Sequence, residues 1–144
     1  MNISRPGAFA AAVLLLDALV HLFWVVRPIA DPRALSLAVL NAEVPFTPRV
    51  LLPLILVLSV GALSVAAASG GRGGWPARAV TMAVGAGVLV RGLVGLVWAF
   101  GFGTDTASPF YWLNLFLYTP VCLAMTLAVG IVLVRARRPV SISS

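Results

Sequence analysis

The sequence predicts an all-α integral membrane protein, a four-helix bundle with both termini cytoplasmic. Three observations carry this. Of the 144 residues, 61% are hydrophobic and 10% charged, against about a quarter charged in soluble domains, and the mean hydropathy is +1.07. Four apolar runs, 8–26, 50–68, 79–100 and 110–134, each approach or exceed the roughly 20 residues that cross a hydrocarbon core of about 30 Å. Arginine is divided unevenly between the segments that flank those runs. Composition excludes intrinsic disorder, which needs low hydrophobicity and high charge. It also argues against nucleic-acid binding. The +6 balance comes from ten arginines against Asp17, Asp31, Glu43 and Asp105, and the arginines sit in short clusters between apolar runs, as in membrane-protein loops.

The elements follow in order, as one domain spanning 1–144. Run 8–26 is read as a true span and not a cleaved signal peptide. Asp17 and His21 interrupt it, and no small-x-small cleavage site precedes Arg27. Connector 27–49 holds Pro28, Pro32, Pro45 and Pro48, which cannot lie in one continuous helix. Within it, Leu35, Ala38 and Val39 recur at helical spacing, predicting a short interfacial helix over 33–41. Connector 69–77 is a turn by its Gly70, Gly71, Gly73, Gly74 and Pro76, and 101–109 is a Gly/Thr/Ser turn. Run 110–134 is the longest and is expected to tilt or project. Pro53 and Pro120 are expected to bend their helices. Arg5, Arg72, Arg78, Arg135, Arg137 and Arg138 lie on one side and Arg27, Arg33 and Arg49 on the other. This bias places both termini inside.

The chemistry is expected where polar groups enter the spans. A charge at a helix centre costs about 2.5–3.5 kcal/mol on insertion scales, yet Asp17 lies in the first span and Arg91 in the third. Asp17, His21 and Trp24 share one helix face by their i, i+4, i+7 spacing. Gly87, Arg91, Gly95 and Trp98 form a stripe on the third span, and Tyr111, Asn114, Tyr118 and Cys122 another on the fourth. At about 1.5 Å per residue from the outer end, Asp17, Arg91, Tyr118 and Ser59 fall at one level of roughly 12–14 Å. His21 and Asn114 fall at about 6–8 Å, and Trp24 and Trp98 at about 3 Å. Asp17 is therefore expected to meet Arg91, directly or through His21 or water, in an inner chamber lined by rings.

Plainer readings stand beside these. Asp17 with Arg91 can be a structural clamp, and His21 a neutral group satisfied by a neighbouring oxygen. Trp24, Trp98, Tyr111 and Trp112 can form an aromatic belt at the outer interface, with Trp75 at the inner one. Gly85, Gly87, Gly92 and Gly95 read first as close helix packing. Cys122 reads as a small apolar residue. The single His and single Cys, in different spans, cannot make a four-coordinate metal site. No phosphate-binding loop and no G-x-S-x-G motif is present. No metal and no cofactor is expected.

The H-x-x-W of His21 and Trp24, the pair Arg91 and Gly92, and the block F-x-x-L-N-x-x-L-Y-T-P-x-C-L at 110–123 together resemble a family of small bacterial four-helix membrane proteins of unknown function. The likeness runs from about Val13 to Leu133. It implies the same fold and a bacterial cytoplasmic membrane location, and it supplies no activity. In that family the position of Asn114 is typically acidic and Asp17 is not typical. The resemblance thus implies an acidic group moved from the fourth helix to the first.

Three functions fit these residues. The first is a membrane enzyme, of cyclase or isomerase type, acting by proton transfer on a lipidic or isoprenoid-like substrate. Asp17, His21, Arg91 and Tyr118 would be catalytic, and Trp24, Trp98, Tyr111, Trp112 and Asn114 would bind substrate. The second is a proton- or cation-coupled transporter or channel subunit, which needs a homo-oligomer. The third is a non-catalytic assembly or binding protein, in which the charges set helix register. The expected partners are the lipid bilayer and an apolar small molecule, not nucleic acid.

Overall fold

The computed structural model describes residues 3–27 and 29–136. Pro28, Arg137 and Arg138, used above for the first connector and the charge bias, lie outside the described residues. The described chain is helical throughout its ordered elements: α1 (Arg5–Val26), α2 (Pro32–Leu40), α3 (Pro48–Ser69), α4 (Gly74–Ala99), α5 (Pro109–Leu113), a π turn (Asn114–Tyr118) and α6 (Thr119–Ala136). The last three run on as one helical rod over Pro109–Ala136. Four helices are long and apolar enough to cross a membrane. They match the four predicted runs.

Local chemistry sets the ends. The Ser4 hydroxyl accepts from the Gly7 N–H at 3.3 Å to start α1, and Asp31 accepts from Ala34 N–H at 2.9 Å to start α2. Helix α2 spans Pro32–Leu40, close to the predicted 33–41, and ends at Asn41 in the left-handed region (φ 56°). Helix α4 begins at Gly74 and not at 79. Gly73 takes φ +76°, where a Cβ would also strike Ala77, and Pro76 sits in the first turn, where its missing N–H costs no helix bond.

Helix α1 packs along α3 and α4 along α6. The pairs join through α3 with α4 and α1 with α6, and α3 also touches α6, so α1 and α4 occupy opposite corners. The main core cluster contains Ala10, Leu14, Ala62, Val65, Met125 and Val129. A second contains Ala68, Ala77 and Val132. Both clusters lie in the half of the bundle nearest the termini. Small residues dominate there because they let helix backbones approach. Outward faces stay apolar, with Leu16, Leu56, Val57 and Leu127 exposed. At the opposite end, the loop end, α2 is fastened by Asn41 Nδ2 donating to Gly103 O at 3.1 Å.

At Gly7 α1 comes close to α3, since a Cβ there would collide with the Ser69 side chain. Gly7→Val should destabilise the bundle by about 1–3 kcal/mol through overpacking. Gly87→Val should be nearly neutral, because a Cβ at Gly87 meets nothing within 4 Å. Thermal unfolding followed by circular dichroism in a neutral detergent checks both. Equal melting temperatures for the two variants would contradict the packing described.

Candidate functional site

Arg91 on α4 finds its partner on the fourth span. Its Nη1 donates to Asn114 Oδ1 at 3.1 Å. The guanidinium carbon lies 5.1 Å from the Trp98 ring centre and 5.4 Å from that of Tyr118, within cation–π range. Asn114 is fully buried and nearly saturated. Its Nδ2 donates to Gly95 O at 2.8 Å, and its Oδ1 accepts a second bond from the Thr119 hydroxyl at 3.2 Å. Trp98 is held in turn edge-on against buried Phe110, ring centres 5.0 Å apart. An arginine, two rings, an amide and a hydroxyl thus form one fixed centre between α4 and the fourth span.

The π turn makes that centre possible. In an α-helix, side chains five residues apart diverge by about 140°. The wider turn, in which Thr119 N–H bonds Asn114 O, brings Asn114 and Thr119 to one face. Pro120 supplies the cause. It has no N–H to offer Phe116 O, and its ring would clash with that carbonyl in a regular α-helix. The expected bend at Pro120 is realised as this π turn immediately before it. Gly95 completes the site. A Cβ there would collide with the Thr119 hydroxyl and come within 3.1 Å of Asn114 Oδ1 and 3.2 Å of Arg91 Nη1.

Asp17 does not meet Arg91. No ion pair joins them among the described residues, where the pairs are His21 with Asp17 and Arg33 with Glu43. Equal depth fixes a level and not a direction, and α1 and α4 stand at opposite corners. Arg91 has a nearer acceptor in Asn114. The Asp17 side chain is 51% exposed and His21 14%. His21 Nδ1 lies 2.8 Å from the Asp17 main-chain oxygen and 3.3 Å from its carboxylate. Helix α1, which carries Asp17 and His21, nevertheless packs against α6, the continuation of the span that holds Tyr118. The expected shared chamber is replaced by two separate centres, Asp17 with His21 on α1 and Arg91 with Asn114, Trp98 and Tyr118 between α4 and the fourth span.

The other predicted residues divide. Trp24 packs edge-on to His21 at 5.0 Å and against buried Phe46 at 5.2 Å. Tyr111 donates its hydroxyl to Ala99 O at 3.2 Å and so caps the end of α4. Trp112 is 51% exposed and stacks on Phe116 with centres 5.8 Å apart, away from the Arg91 centre. Asn114 holds the arginine. The loop acids serve locally: Asp31 caps α2, Asp105 accepts from Ala107 N–H at 2.9 Å, and Glu43 pairs with exposed Arg33. Gly95 and Thr119 are site residues that a reading of packing alone misses. The signal available was Pro120, which breaks the regular helix register between them. Cavities of about 390 and 170 Å³ lie under α2 (Asp31, Ser36, Glu43) and near the chain ends (Ser4, Ser69, Arg135). Neither is lined by Arg91 or His21. Among the described residues, no cluster of three or more His, Cys, Asp or Glu side chains is placed to hold a metal.

Gly95→Ala should destabilise by about 1–3 kcal/mol, and adding Thr119→Ala should restore part of that loss by removing the colliding hydroxyl. Denaturation of the two single variants and the double variant measures the coupling. Strict additivity would contradict the contact. Comparison with family models, curated proteins and solved structures finds no match to this chain.

Proposed function

We propose that this chain is an integral protein of the bacterial cytoplasmic membrane with both termini inside, acting as an enzyme of isomerase type on an apolar, lipid-like molecule. Four long apolar helices and the bias of arginines toward the terminal side support the location and orientation. The observation that carries the chemistry is the Asp17–His21 pair on α1, a helix that packs against α6.

With Nδ1 directed at the Asp17 oxygens, the imidazole presents Nε2 as a base. A C–H bond of the substrate breaks and its proton passes to Nε2. The double bond shifts, and the proton returns at the far carbon of the allylic unit. No electron is gained or lost and no second substrate is consumed. Asp17 acts through His21 as a positioning residue, since its negative charge stabilises the imidazolium that forms. Arg91, clamped by Asn114, stabilises negative charge developing on the substrate. Tyr118, whose ring lies against the Arg91 guanidinium, would share in stabilising that charge through its hydroxyl and keeps its own proton. A second reading, a helix-assembly protein, is favoured by one observation: the Asn114 bonds tie α4 to the fourth span whatever else is present.

Deuterium uptake separates the two. Purified protein is incubated in D2O with a bacterial lipid extract, and C–D incorporation is read by mass spectrometry. The enzyme labels a lipid species, and His21→Gln lowers the rate by about 10²–10⁴-fold. No labelling by the intact protein, or labelling that survives His21→Gln, would overturn this function and favour assembly.

A further inference from the structure

We infer that Arg91 receives the oxyanion head, a carboxylate or phosphate, of an amphiphile whose apolar tail lies along the bundle. The inference deepens the proposal of a lipid-like ligand and rests on it, but its readout is binding and not turnover. Among the described residues no carboxylate pairs with Arg91. Its one hydrogen-bonded side-chain partner is the neutral amide of Asn114. A guanidinium carries five N–H donors in a planar fork suited to two oxygens of one anion, so most of its donors remain for another partner.

The surroundings hold that fork ready. The faces of Trp98 and Tyr118 lie 5.1 and 5.4 Å from it, and Asn114 is itself fixed by Gly95 O and Thr119. The free N–H groups reach accessible space, since the one buried, unpartnered side-chain polar atom among the described residues is Thr104 Oγ1. The guanidinium also points toward the loop end. Nη1 lies beside Gly95, one helical turn beyond the Arg91 Cα, and the ring it covers belongs to Trp98, next to the helix end at Ala99. An arginine reaching along its helix in this way sets its charge near the level where a headgroup meets apolar chains. Of the titratable side chains, Tyr118 lies against the guanidinium, Cys122 faces Gly92 one residue along α4, and Asp17 and His21 stand on α1 at the opposite corner. Of these, Asp17 is engaged with His21 and leaves the arginine charge unpaired.

The probes are dodecyl phosphate, dodecanoate, uncharged dodecanol and inorganic phosphate. Each is titrated at neutral pH into protein in a maltoside detergent, and binding is read by tryptophan fluorescence in a variant whose other three tryptophans are replaced by Phe, leaving Trp98 beside the guanidinium. Both charged amphiphiles should bind saturably and about tenfold or more tighter than dodecanol, by the strength of a charge-assisted bidentate contact. Inorganic phosphate should bind far more weakly than dodecyl phosphate. Arg91→Gln should erase the preference for charge, and Arg91→Lys should keep part of it for phosphate. Equal binding of dodecanol, a preference that survives Arg91→Gln, or inorganic phosphate matching dodecyl phosphate would overturn the inference. The dodecanol comparison needs no change at Arg91 and decides even where Arg91→Gln fails to fold. His21→Gln should leave the preference intact, which separates this site from the proton-transfer reading.

Discussion

The bond from Arg91 to Asn114 organises everything around it. A guanidinium set among apolar helices is costly in proportion to the hydration it loses, and a single neutral amide cannot repay that cost alone. The structure spreads the load. Asn114 polarises toward the arginine while its own amide is anchored on Gly95 O, Thr119 adds a second donor to the same oxygen, and two ring faces present their electron-rich side to the cation. Each contact is modest in water. In a low-dielectric setting they reinforce one another, and leaving any member unpaired costs more than its bond contributes.

That centre has a backbone cause and a packing condition. Pro120 withdraws one helix hydrogen bond, the chain widens into a π turn, and two polar side chains five residues apart come to share a face. The condition is Gly95, which lets the facing helix approach without a side chain in the way. Asp17 illustrates the opposite case. It sits half-exposed on α1, at the opposite corner of the bundle from α4, and its partner is His21. Separation of the two charges leaves the cation open to an outside partner, a consequence that a closed ion pair would not have.

Much of this architecture was legible in the residues. Apolar runs and Pro/Gly connectors mark four long helices, and the Leu35, Ala38 and Val39 spacing marks α2. Arg91 and Tyr118 count to one level at about 1.5 Å per residue and do lie together. Asn114 counts about a turn shallower and meets Arg91 because the arginine side chain reaches along α4 toward Gly95. Direction around the helix could not be read the same way. Depth says nothing of which corner a helix occupies, so Asp17 and Arg91 matched in level and missed each other in space. The role of Asn114 was hidden because it depends on a π turn, whose i to i+5 register has no periodic trace in the sequence. Tyr111 and Trp112, neighbours on the chain, went to a helix-end hydrogen bond and to an exposed stack. No pattern of hydrophobicity separates those two fates.

Solid-state NMR on protein in lipid bilayers, with the arginine side-chain nitrogens and the side-chain carboxyl and amide carbons labelled, tests the arrangement most directly. The account predicts a short-range correlation from the Arg91 guanidinium to the Asn114 side-chain carbonyl, matching the 3.1 Å Nη1 to Oδ1 contact, and none to the Asp17 carboxylate. A strong Arg91 to Asp17 correlation, with the Asn114 signal absent, would contradict it.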